Sequence, residues 1–383
     1  MKRQFAVAGA LLLGMSASAL AQSSDSSIEQ IGTGNKATVA QTATGGNGND
    51  STITQYGVGG NTADVTQRGT DNLNSSTISQ HDAGGNNAKV LQEGSENSNT
   101  SIIDQLGTGG GNTVNSVTQR GDRNSNNSTI TQNGTGGGNE TSVTQEGSDN
   151  LNTSTINQLG VGGGNLANVY QRGQDNLNTS TITQNGGGGD NEVFSVTQQG
   201  NDNTNTSTIN QSGGGGNNWT SVTQEGSSNE NISTLTQNGA GGSNDTTVIQ
   251  RGSGNSGGSL RNRSAITQTG GNGFNVTDVT QEAVNSRSIS TITQRDAGGY
   301  NDVMVWQYGT NNTNLSTIMQ EDDGHQTAEV TQSGTGTSNT SDIHQWGFGG
   351  GNEAIVSQSG TSLVNTSTIN QNGGSNAANV TQN

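Results

Sequence analysis

The sequence predicts an all-β chain, a two-sheet β-solenoid whose strand-turn-strand units stack in register. Three observations predict it. A Gln recurs about every 12 to 14 residues from Gln30 to Gln382, a branched aliphatic stands two residues before each, and Gly follows two residues after most. A period this short and this persistent marks stacked repeats, not a globular core.

Composition limits what holds such a chain together. Apolar residues make up 24% and aromatics 3% of the 383 residues, against roughly 45–50% apolar in an ordinary domain, so no large oily core is available. Gly, Asn, Ser, Thr and Gln dominate, as they do in disordered chains. Disorder, however, does not place Ile or Val at a fixed phase to every Gln, so the periodicity is a structural signal. The formal charge is -17 with thirteen basic residues scattered along the length, which argues against nucleic acid or an anionic membrane as partner. The chain has no Pro and no Cys. Nothing therefore blocks a ladder of backbone hydrogen bonds, and neither a disulfide nor a lipid-bearing Cys is available.

Residues 1–21 differ in kind. Lys2 and Arg3 precede an apolar run from Phe5 to Met15, and Ala19-Leu20-Ala21 comes before Gln22. This predicts a secretory signal with an A-x-A cleavage site, its apolar run too short for a membrane anchor. Residues 22–383 then form about fourteen 26-residue units in a secreted, extracellular chain.

Each unit holds two seven-residue arms of the form Asn-x-small-x-aliphatic-x-Gln, as in Asn49 to Gln55 and Asn61 to Gln67. The constrained positions fall on alternate residues, so each arm reads as a strand with one specified face. Arms alternate between Ile (Ile53, Ile78) and Val (Val65, Val90), with Leu235 the only substitute among the Ile arms. In-register stacking then puts like on like about 4.8 Å apart. The expected ladders are Gln55, Gln80, Gln132 and Gln158 in one wall and Gln67, Gln92, Gln145 and Gln171 in the other. Asn49, Asn61, Asn74 and Asn86 mark the far ends of their arms.

Gly-rich stretches such as Asn133 to Gly138 close the Ile-to-Val side, where Gly supplies positive φ. The opposite turn uses Asp71-Asn72, Asp149-Asn150 and Asp175-Asn176, residues that tolerate left-handed backbone. Just after the Val-arm Gln runs a column of alternating charge, Arg68, Glu93, Arg120, Glu146 and Arg172, which favours stacking in register. Regularity breaks at residues 251–263, a Gly/Ser/Arg-rich excursion that loops accept cheaply.

These arms resemble the curlin repeat, Ser-x5-Gln-x4-Asn-x5-Gln. Ser24, Gln30, Asn35 and Gln41 match that spacing, and the tandem arms repeat it with slightly longer turns up to Gln382. The resemblance implies a structural subunit, major-curlin-like, of an extracellular functional amyloid fibre of the curli type, a fimbrium supporting adhesion and the biofilm matrix. It also implies a minor curlin nucleator and an outer-membrane curli secretion pore as partners. Fourteen units exceed the handful typical of the family, and only Gln22 and Ser23 separate the cleavage point from the first arm, where major subunits carry a non-repeat targeting segment.

The arms run to within a residue or two of both mature ends, so no capping unit is expected, and uncapped solenoid ends stack end to end into open filaments. A monomeric surface-binding solenoid, an ice-binding or adhesin module, is the alternative. Thr pairs such as Thr52 and Thr54, Thr129 and Thr131, or Thr181 and Thr183 form an outward array, interrupted by Asp104, Asn157, Met319 and His344. No enzyme, cofactor or metal site is expected. His81, His325 and His344 lack a nucleophile and orienting acid at recognisable phase, and Glu321-Asp322-Asp323-Gly324-His325 reads as a solvated acidic turn, without the ligand spacing of a calcium loop.

Overall fold

In the computed structural model, residues 24–383 are described apart from short stretches at 45–47, 82–84, 107–110, 136–137, 162–163, 188–190, 214–216, 240–242, 256–260, 271–272, 297–298, 322–323 and 348–349. The expected signal at 1–21 and the centre of the 251–263 excursion lie outside the described residues. The Gly-rich Ile-to-Val turns are described only in part for the same reason.

Described residues form twenty-eight strands, from β1 (Asp25–Thr33) and β2 (Lys36–Thr44) to β27 (Val364–Asn372) and β28 (Ala377–Gln382). Odd-numbered strands make one parallel 14-stranded sheet and even-numbered strands the other. The chain therefore alternates sheets at every turn, and each strand-turn-strand pair is one rung of a β-solenoid. We call the walls the Ile sheet and the Val sheet after their aliphatic columns.

Register follows the repeat. Ile28 lies opposite Ile53, Ile53 opposite Ile78, Val39 opposite Val65 and Val65 opposite Val90. Because side chains alternate across a strand, one face of each sheet turns inward and carries the small, aliphatic and amide residues. The Ile and Val columns meet in one thin, continuous core, and Ile53, Val65 and Ile78 are fully buried. The register also survives the excursion at 251–263: Gln237 aligns with Gln268 and Gln250 with Gln281, 31 residues on. The extra residues therefore fall between Asn255 and Asn262 in the sequence.

Two Val-sheet strands depart from the seven-residue arm. β8 (Thr113–Asp122) and β14 (Asn191–Asn201) each hold one residue more between Asn and Gln, and the register shifts there. Asn115-Ser116 and Phe194-Ser195 form the bulges, both residues pointing away from the core. Each bulged arm keeps its small position apolar with a second Val, so Val114 and Val117, and Val193 and Val196, are all buried. An outward bulge leaves the inner face intact, which is why the stack continues through it.

Candidate functional site

The feature that could act here is the set of ladders running the length of the solenoid. In the Ile sheet, Nε2 of each Gln donates to Oε1 of the Gln one rung further along, without a gap from Gln30 to Gln371, at 2.6–3.1 Å. The Val-sheet ladder is likewise unbroken from Gln41 to Gln382, at 2.7–2.9 Å. Gln55, Gln67, Gln80, Gln92, Gln132, Gln145, Gln158 and Gln171 all lie in these ladders and are fully buried.

The second Nε2 hydrogen has its own acceptor. Gln55 donates to the carbonyl of Lys36 at 3.0 Å, Gln67 to that of Asp50 at 2.9 Å and Gln80 to that of Thr62 at 3.0 Å, in each case across to the other sheet. One amide therefore ties a rung to its successor and one wall to the other. Only Gln has the reach, two donors and one acceptor that this needs; Asn is too short and Glu has no donor. In both Gln ladders every rung offers Nε2 toward the C-terminal rung and Oε1 toward the N-terminal one, so the Gln stack is polar and each rung complements any other.

Asn at the far end of each arm makes a second ladder. In the Ile sheet Asn74 Nδ2 donates to Asn49 Oδ1 at 2.9 Å, and the pattern continues to Asn262. There Ser288 takes the next position. Its side chain is too short to bridge, and Asn262 Oδ1, Ser288 Oγ and Asn314 Nδ2 are buried without partners. Beyond the break the ladder resumes from Asn314 through Asn339 to Asn365. Val-sheet Asn61 and Asn86 link differently, the side-chain oxygen of Asn61 accepting from the backbone N–H of Asn86 at 3.1 Å. Side-chain-to-side-chain bonding takes over from Asn112 and runs to Asn301, where Gln326 replaces Asn.

A third Asn column lies in the Val-to-Ile turn. The residue before it adopts left-handed backbone, with φ 52° at Asp71, 57° at Asp149 and 53° at Asp175. The following Asn is buried, and both ends of its side-chain amide engage the next rung: Asn97 N–H donates to Asn72 Oδ1 at 2.9 Å, while Asn72 Nδ2 donates to the carbonyl of Gly94 at 2.6 Å. Beside it the Gly column is held by sterics. A Cβ on Gly147, at φ +131°, would sit 1.9 Å from the carbonyl oxygen of Gly173. In the Ile sheet the small position is a column of buried Ser, from Ser51 to Ser367, whose hydroxyls have no partner in the protein.

The charge column pairs unevenly. Arg68 pairs with Glu93, which Arg120 Nε approaches at 3.1 Å, and Arg120 Nη1 lies 3.8 Å from Glu146. Arg172 stands opposite Glu146 in register, yet its guanidinium turns to the Tyr170 hydroxyl at 3.2 Å. Further on, Arg251 bridges Glu225 at 2.9 Å and Glu282 at 3.1 Å. Outside the column, Arg123 forks onto Asp149 with two bonds of 2.7 Å, and this holds the Asp149 carboxyl below its ordinary pKa. The histidines stand in aromatic pairs: His81 on Tyr56, His325 on Tyr300 and His344 beside Trp346. Glu321, whose neighbours Asp322 and Asp323 lie outside the described residues, is 3.1 Å from Arg295 and 3.5 Å from His344.

The two parallel sheets and their ladders define a structural repeat protein of the β-solenoid class. Residues 22–57, which hold Gln30, Gln41 and Gln55, match the model of the curlin associated repeat. That match supports assigning the chain to the curlin-repeat family. No curated protein matches the chain at a significant level.

Proposed function

We propose that the chain is a major-type subunit of a curli-like extracellular amyloid fibre, polymerising by end-to-end stacking of rungs and supporting adhesion and a biofilm matrix. One observation carries this reading. The contact between successive rungs is the same throughout, with Gln Nε2 facing Gln Oε1, so the surface that joins rung to rung inside one chain is the surface that would join two chains. Such a contact is heterologous and does not close, so repetition gives a filament. Unpaired strand edges drive the same addition through backbone hydrogen bonds.

In this reading residues 1–21 are the secretory signal, a minor curlin homologue nucleates growth, and an outer-membrane pore exports the chain. The experiment dilutes residues 22–383 from denaturant and follows thioflavin fluorescence with and without preformed seeds. Seeded growth and a meridional reflection at about 4.7–4.8 Å are expected. A stable monomer at every concentration contradicts the reading.

A further inference from the structure

The two outer faces of the solenoid differ in charge. β9 (Ser125–Thr135), β11 (Leu151–Val161), β13 (Leu177–Gly187) and β15 (Thr204–Gly213) are consecutive in the Ile sheet, and none of them contains a charged residue. Within the seven-residue arms their outward residues are all Thr and Asn, and exposed Leu151 and Leu177 stand at the start of β11 and β13. Thr129, Thr155, Thr181 and Thr208 align rung on rung down the middle of this face, each half-exposed. Val-sheet strands over the same stretch carry Arg120, Glu140, Glu146, Arg172, Glu192 and Glu225. In a chain of net charge -17, this neutral Thr face is a deliberate gap in the charge.

We infer that this face pairs with the same face of a second copy, joining two fibres side by side through a two-fold, isologous contact; the inference rests on the fibre reading above. Repulsion between acidic chains opposes lateral approach elsewhere, and burying the Val-sheet charges would add a desolvation penalty. Neutral segments without Pro are the kind that pack sheet face to sheet face. β-Branched Thr is already stiff, so little side-chain entropy is lost when it is covered.

Area decides when pairing occurs. Four strands at about 4.8 Å and seven residues at about 3.3 Å make a patch of roughly 450 Å² per copy. A stable interface needs about 800 Å² per partner. One pair of chains therefore falls short, while a fibre repeats the patch once per subunit and the contacts add along its length. Single chains stay apart and fibres pair.

The experiment compares mass per length of fibres grown from residues 22–383 with that of two triple variants. Thr155→Lys, Thr181→Lys and Thr208→Lys charge the Ile face; Thr144→Lys, Thr197→Lys and Thr223→Lys add the same charge to the Val face. Both variants reduce the net negative charge equally, so a general electrostatic effect moves them together. Paired parent and Val-face fibres are expected, with Ile-face fibres at half their mass per length. Should the triple Ile-face variant fail to grow, Thr181→Lys alone gives the same reading. Single-width parent fibres, equal effects of both variants, or thermal hysteresis on unpaired fibres, which would assign the Thr face to ice, overturn the inference. Absence of any parent fibre by thioflavin fluorescence instead overturns the fibre reading itself.

Discussion

Gln145 Nε2 lies 2.8 Å from Gln171 Oε1 and 3.1 Å from the carbonyl oxygen of Asn127, so one buried amide joins successive rungs and opposite sheets at once. Gln145→Leu strands both acceptors, at about 1–3 kcal/mol for each unsatisfied group. Gln145→Glu is worse, because it also buries a carboxylate among acceptors. Denaturant midpoints should fall in the order parent, Leu, Glu; a Glu variant as stable as the parent would remove the ladder from the account.

The break at Ser288 should be repairable. Asn at this position would place Nδ2 toward Asn262 Oδ1 and Oδ1 toward Asn314 Nδ2, the two buried atoms now without partners. Ser288→Asn is expected to raise stability by about 1–3 kcal/mol, read as a higher denaturant midpoint at an unchanged m-value.

Glycines in the two kinds of turn should respond differently to a methyl group. Gly147→Ala drives Cβ to 1.9 Å from a carbonyl oxygen, whereas at Gly138, φ +83°, the nearest atom is 3.7 Å away. The second substitution carries only the left-handed backbone penalty of about 1–2 kcal/mol. Gly147→Ala should slow or abolish assembly under conditions where Gly138→Ala still grows.

Acid should favour the folded stack near rungs nine to eleven. Asp245 and Asp302 flank Val276 on the Val-sheet exterior, with Asp278 and Glu329 as neighbouring acids. Partial burial first, and the Asp278 charge second, raise both carboxyls above their ordinary value of 3.8. Carboxyls raised in the folded state contribute stability below the unfolded pKa and lose it as pH climbs through the folded one. Asp149 has the opposite sign, since its contribution vanishes as pH falls below 3.8. Asp278→Asn is expected to stabilise at pH 7 by a few tenths of a kcal/mol. It should also shrink the gain seen on acidifying toward about pH 4, which thermal melts across that range will show.

Much of the architecture is written in period-two spacing, because inward positions alone are constrained and they repeat from Asn49-Ser51-Ile53-Gln55 onward. The parallel two-wall stack follows from Ile and Val alternating between arms. What escaped has a common cause: it sits where the inner pattern does not change. The bulges at Asn115-Ser116 and Phe194-Ser195 point outward, so eight-residue arms resemble arms with a shorter preceding turn. Asn72, Asn150 and Asn176 read as turn residues, although burial makes them members of a ladder in its own right. The Ser288 gap was visible as one letter but gained meaning only from the orphaned atoms above and below it. Arg172 shows the limit of column reading, since a neighbouring Tyr on its own strand captured a guanidinium that charge alternation assigned to Glu146.

The rise of the fibre tests most directly whether chains join as rungs do. With fourteen rungs per chain at about 4.8 Å each, head-to-tail stacking gives an axial rise of about 67 Å per subunit. Cryo-electron microscopy of fibres grown from residues 22–383 should show that rise, with both Gln ladders continuous across the joint between chains. One chain per layer at about 4.8 Å, or a joint at which the Gln ladders are out of register, would contradict the account.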